Sequence, residues 1–330
     1  MPVANETPVF LKTTLDVRLD MENRYWKLPT ESNYTSWIPQ VRFKVFYKSN
    51  VKLRYLVEYF TPDGKPWFSE TPEQSGADAG EQSVSISSGR GPNRFENISR
   101  IDVGTFGVKI TNTRDSSVAF QGKFKVNKYK YGPAIPMFKN QYSFYVEQDW
   151  NLPIGYVWLD YGADKFSPLV KVSMWLKNEP RADDLEARLF YNGQEVATTD
   201  DKGEASSGQY RYPNIIENKE LAYWQEWNFA WYKIRYRAGT GGYKYPEAKW
   251  INDMPGEYVV KVLHKGIQIR EAKFNVAGGN LADNNIAKQN NFIENKIIIP
   301  VKVMGTLEKW NATAWKTDAF YGNPLTGFTP

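Results

Sequence analysis

An all-β fold of tandem antiparallel sandwiches is what this sequence predicts, and three observations carry the prediction. The first is repetition. Residues 41–70 (VRFKVFYKSNVKLRYLVEYFTPDGKPWFSE) are echoed by residues 170–200 (VKVSMWLKNEPRADDLEARLFYNGQEVATTD), and residues 104–126 are echoed, in the same order, by residues 256–276. The second is alternation of apolar residues with period two inside those segments, the pattern of half-buried strands. The third is turn chemistry. Asp63-Gly64 and Asn192-Gly193 stand at equivalent places in the two copies, and such pairs between alternating runs are the strongest short-range hairpin signal.

Each element is dictated by its residues. A strand near 13–19 opens the chain. In 41–47 the inward set is Val41, Phe43, Val45 and Tyr47; in 51–59 it is Val51, Leu53, Tyr55, Val57 and Tyr59. Asp63-Gly64 then turns the chain, and Pro66 limits the next strand to a sheet edge. The second copy places Val170, Val172 and Met174 inward, then Leu185, Ala187 and Leu189. Each copy closes on a hairpin: Val108 and Ile110 return through Phe124 and Val126, Val260 and Val262 through Phe274 and Val276. Gly122 and Ala272 are the small residues two places before those phenylalanines. The two closing turns differ by about two residues, a change that surface loops tolerate.

About seven short strands per copy, separated by turn signals, is the pattern of an immunoglobulin-like or fibronectin-like antiparallel β-sandwich. The resemblance is to an architecture. The paired cysteines of antibody domains are absent, because the chain has none. The expected boundaries are a first module at 1–135, a second at 138–277, and a C-terminal extension at 278–330. Residues 129–137 (YKYGPAIPM) form the linker, stiffened by Gly132, Pro133 and Pro136. Within the extension, 278–295 is an Asn- and Gly-rich connection, 296–304 a further strand, and 305–330 a tail.

Composition narrows the function classes. At 330 residues the chain can bury two cores of ordinary size. Hydrophobic content of 41% and aromatic content of 15% place it among folded rather than disordered proteins. A net charge of +5 is too mild for a dedicated nucleic-acid binder. Without cysteine there is no disulfide, thiolate nucleophile or zinc ribbon. A single histidine, His264, excludes a His-pair metal site. No apolar run reaches the roughly 18–20 residues of a membrane helix. No basic head precedes an apolar stretch at the N-terminus. The reading is therefore a cytoplasmic or virion-borne protein, or one whose leader has been removed; many aromatics and no thiols favour a periplasmic or cell-surface setting.

Four features compete for function. Residues 208–245 read as an aromatic insertion of about 30 residues absent from the first copy, containing Tyr223, Trp224, Trp227, Trp231 and Tyr232. Its rings serve the second core, a protein partner, or a glycan stacked on an exposed platform. Arg42, Lys44, Lys52, Arg54, Lys123, Lys125, Lys128 and Lys130 suggest a basic face on the first module, or simply a solvated face that guards strand edges. Asp183, Asp184 and Glu186, and Asp200, Asp201 and Glu204, are acidic groups in turns without EF-hand spacing. The tail holds Trp310, Trp315, Phe320 and Tyr321, rings that must be buried on the chain's own sandwich or on a neighbouring subunit.

No catalytic motif, phosphate-cradling loop or cofactor signature is present, and His264 falls in a hairpin turn. The expectation is a non-catalytic structural or interaction protein working with protein partners in a cell-envelope, surface or virion assembly. A carbohydrate-binding protein is the alternative, and a polysaccharide-active enzyme using two carboxylates ranks behind it.

Overall fold

A computed structural model of the chain describes residues 8–23, 35–47, 53–74, 80–85, 98–130, 142–162, 166–177, 181–211, 224–237, 247–284 and 297–305. Nearly all of this is antiparallel strand. The all-β class is the direct result of period-two alternation: in β2 (Thr35–Tyr47) the residues Val41, Phe43, Val45 and Tyr47 are buried while Arg42 and Lys44 are exposed. The chain divides into two compact units; among the described residues the first runs to Glu147 and the second begins at Gln148.

Among the described residues, the first unit comprises two sheets. One has the order β1-β2-β6-β5, with β1 (Val9–Asn23), β5 (Glu73–Gln74) and β6 (Gly80–Ser85). The other has the order β4-β3-β7-β8-β9: β3 (Tyr55–Phe60), β4 (Pro66–Glu70), β7 (Gly104–Asn112), β8 (Val118–Lys130) and β9 (Tyr142–Val146). The turn between β3 and β4 is a short loop with Gly64 at φ 81°, its amide donating to Thr61 O. Trp37 is fully buried and meets Trp67 and Phe106 edge-on, with centroids 5.5 and 4.9 Å apart.

The second unit repeats this order. Its strands are β10 (Ile154–Asp160), β11 (Leu169–Lys177), β12 (Leu185–Tyr191), β13 (Gln194–Thr198), β14 (Gly203–Arg211) and β15 (Trp224–Arg235). The pair β16 (Lys249–Trp250) and β19 (Asn280–Leu281) lies off the main path; β17 (Gly256–His264), β18 (Ile267–Ala277) and β20 (Ile297–Val303) complete the set. Here the halves β10-β11-β15-β14 and β13-β12-β17-β18 are joined into one sheet by β20, which lies between β18 and β10.

The repetition extends to the hydrogen-bond register. Phe106 faces Phe124 and Val108 faces Gly122 across β7 and β8; Tyr258 faces Phe274 and Val260 faces Ala272 across β17 and β18. Val57 faces Ile110, and Ala187 faces Val262. Gly104 and Gly256 open the matching strands at the same φ of 146°, and a Cβ there would fall 3.2 Å from Pro62 and 2.9 Å from Asn192, at matching turns. The second unit's tight turns use left-handed pairs, Asn192-Gly193 and Lys265-Gly266, the geometry that suits strand twist.

Three sequence expectations need adjustment. Residues 142–146, expected in the second module, pair with β8 as β9, so the first unit continues to Glu147 rather than 135. Residues 297–303, expected in a separate extension, pair within the second unit as β20. Residues 224–235, expected as part of an insertion, are the central strand β15 between β11 and β14, occupying the place that β6 has beside β2.

Candidate functional site

The ring-rich strand β15 is the leading sequence candidate for recognition, and its geometry is that of a core strand. Successive side chains alternate between faces. Trp227 and Phe229 sit opposite Met174 and Val172, and with Trp231 they face inward; Trp227 is 3% exposed and Trp231 0%. The Trp231 indole N–H donates to Ala187 O at 3.0 Å, which ties β15 to β12 in the other half of the sheet. Trp224 opens the strand at 3% exposure. An exposed platform of Trp224, Trp227 and Trp231 is therefore corrected: Trp227 and Trp231 fill the core because the inward positions of a central strand take the largest apolar groups, and Trp224, of opposite parity, is buried against polar partners. Tyr232 is half-buried and donates through its hydroxyl to the Glu204 carboxylate at 2.8 Å. Tyr223, Trp310, Trp315, Phe320 and Tyr321 lie outside the described residues.

Trp224 belongs to a buried polar node. Its Nε1 donates to Asp149 Oδ1 at 2.9 Å, and the same oxygen accepts from Lys177 Nζ at 2.8 Å. The ammonium also lies 5.4 Å from the Trp224 ring centroid. Asp149 sits in a single 3-10 turn, Asp149–Asn151, that leads into β10, while Lys177 ends β11. Asp149 and Lys177 are both buried, as are Gln148, Asn151 and Gln225 beside them. A charge taken from water needs a close partner and further hydrogen bonds, and this node supplies both.

Two further cations are internal. Arg270 is 0% exposed and occupies an inward position of β18; its guanidinium donates to Trp175 O and Ile269 O at 3.1 and 2.9 Å. Arg235 donates to Ser167 O at 2.7 Å. Sequence reasoning missed both. Strand parity was the available signal: Arg270 falls two places before Ala272, on the face that also carries Phe274 and Val276.

The remaining candidates resolve into separate pairs. Asp184 lies 3.4 Å from Lys265 and 3.9 Å from His264, whereas Glu186 binds Arg188 and Thr198. The Arg188 guanidinium holds the Glu186 carboxyl below its usual value, with Thr198 helping. Asp201 pairs with Lys233, and Glu204 with Lys171 and Tyr232. Among the described residues no three His, Asp or Glu side chains converge as metal ligands would. The basic residues divide between the two sheets of the first unit: exposed Arg42 and Lys44 lie on β2, whereas Lys123, Lys125 and Lys128 lie on β8. Lys125 is paired with Glu147 at 2.8 Å, and Lys128 lies over the Tyr142 ring. Lys52 and the side chain of Lys130 fall outside the described part of the structure. No helix among the described residues is long and apolar enough to cross a membrane.

Comparison with known proteins places no family name on this arrangement. No family model matches the chain, and no curated protein matches it. Among solved structures, the exo-chitosanase CsxA of Amycolatopsis orientalis aligns at 11% identity and a TM-score of 0.20, over 78% of this chain and 26% of that one. A structure of the exo-beta-D-glucosaminidase CsxA with inhibitors aligns at 10% and 0.19, again over 78% and 26%. This chain spans about a quarter of the length of those proteins. At such scores the likeness is no guide to the fold or activity of this chain.

Proposed function

We propose that this chain is a non-catalytic structural and interaction protein, a tandem immunoglobulin-like subunit of a larger assembly in the cell envelope, on the cell surface or in a virion. One observation carries the reading: the same two runs of strands recur in both units with matching register, so the duplicated feature is the scaffold itself. The immunoglobulin-like detail is supported by strand order. β1-β2-β6-β5 and β4-β3-β7-β8 correspond to A-B-E-D and C′-C-F-G, and the second unit repeats both runs. It is further supported by Tyr258, which lies near the start of β17 and donates back to Met254 O at 2.9 Å, in the manner of a tyrosine corner.

Light scattering on the full chain across a range of concentrations, with cross-linking in its native extract, tests the reading. Recovery in a defined oligomer or complex is expected; a strict monomer with no cross-linked neighbour contradicts it. The carbohydrate-binding alternative needs rings other than the buried indoles of β15, and a glycan array on the intact chain is its test.

A further inference from the structure

β20 is the last described strand, and it fills a slot. It pairs with β10 through Ile154↔Pro300 to Val157↔Ile297, and with β18 through Arg270↔Val303 to Ala272↔Val301. Ile299 and Val301 enter the core of the second unit, while Ile298 on the opposite face is also fully buried. The slot is cut to receive it. A Cβ on Gly155 would lie 2.8 Å from Val301, 3.2 Å from Ile299 and 3.0 Å from Ser173 O, so only glycine leaves room for those side chains. β10 and β18 would each present an unpaired edge without β20, and unpaired edges recruit strands.

The connection into β20 is longer than its span requires. The Asn284 side chain already donates to Ile298 O, yet residues 285–296 intervene. A direct antiparallel return needs roughly 2–5 residues, whereas a segment of this length, fully extended, would span about 40 Å. Pairing by an identical strand from another copy forms the same contacts, so relative concentration decides between the two.

We propose that β20 is an exchangeable strand: the slot between β10 and β18 accepts residues 297–303 of a second copy of this chain, and this exchange joins subunits. The proposal rests on the reading of the chain as an assembly subunit and names the contact that builds the assembly.

The absence of cysteine allows a clean test. Glu271 and Lys302 face each other across β18 and β20. Full-length Glu271→Cys and Lys302→Cys chains are mixed at high concentration, cycled through denaturant and oxidised. A disulfide-linked heterodimer is expected at least tenfold above the yield when Lys65→Cys, on an exposed turn, replaces Lys302→Cys. A synthetic peptide of residues 297–303, and Gly155→Val in the Glu271→Cys chain, should each lower that yield severalfold. Heterodimer no higher than the Lys65→Cys control, while a chain carrying both cysteines closes fully on itself, overturns strand exchange. So does a yield that the peptide leaves unchanged. Oligomers that persist when each chain is locked by its own Glu271–Lys302 disulfide overturn the exchange and leave the assembly reading standing; monomers before and after locking overturn both.

Discussion

The two units share one frame and close it differently. In the first, β9 comes after the last hairpin and, among the described strands, pairs with β8, while β1 pairs with β2 at the edge of the other sheet. In the second, β20 bonds β18 on one side and β10 on the other, joining both halves into a single sheet. Their interiors differ too. Among the described residues, the charged groups buried in the first unit are acids, Asp16 and Glu70, the latter accepting from the Tyr59 hydroxyl at 2.8 Å; the second buries Asp149 together with Lys177, Arg235 and Arg270. The difference teaches that the duplicated hairpins set the frame, while the added strand and the internal cations are particular to one copy.

Substitutions that respect this contrast should sharpen it. The largest effect is expected from Lys177→Met, which removes the ammonium beside the buried Asp149 carboxylate. A loss of about 3 kcal/mol is expected, confined to the second unit. Adding Asp149→Asn should restore much of it, because the uncompensated charge is then gone. Denaturant melts with unit-resolved hydrogen exchange would show this; equal weakening of both units would break the contrast.

Gly155→Val comes next. Its side chain must displace Val301 or Ile299, at a cost of about 1–3 kcal/mol, and faster exchange should appear in β20 and β10 but not in β9. A smaller effect is expected at the matched strand starts. Tyr258→Phe loses the hydroxyl bond to Met254 O and about 1 kcal/mol, whereas Phe106, its counterpart in the first unit, has no hydroxyl to lose.

The smallest effect concerns acid. Lys171 holds Asp160 below the usual carboxylate value, as Arg188 does Glu186. A depressed folded-state value means stability that is present above the ordinary carboxylate range and is lost as pH falls through the folded value. In the first unit Asp63 is lowered to about 2, first by Lys65 and then by Thr61, but on a fully exposed turn where screening erodes the benefit. Between pH 7 and 3 the second unit should therefore lose more of its stability than the first. Thermal melts at each pH read this directly, and the reverse order would contradict it.

Much of the frame was legible because it is locally encoded. Period two placed Val41, Phe43, Val45 and Tyr47 inward, and Asn192-Gly193 named its own turn. The closing hairpins were legible down to Gly122 and Ala272, each opposite a valine on the neighbouring strand. What local pattern does not encode is partnership between distant strands. Nothing in residues 142–146 says that they pair with β8, and nothing in 297–303 says that they join two runs of strands into one sheet. The aromatic richness of 224–235 suggests an accessory platform because the connection between β13 and β17 is longer than its counterpart in the first copy. The strand itself is central, and its rings are large because its inward face is buried. The Asp149–Lys177–Trp224 node was invisible for the same reason: its members come from three separate segments.

Hydrogen exchange along β1 and β10 tests the central claim most directly, since these strands hold the same place in the two units. The account predicts strong protection of β10 amides on both sides, toward β11 and toward β20, and in β1 the strongest protection for amides directed at β2. Equal protection of both strands, or rapid exchange throughout β20 and the facing edge of β10, would contradict a shared frame closed in two different ways.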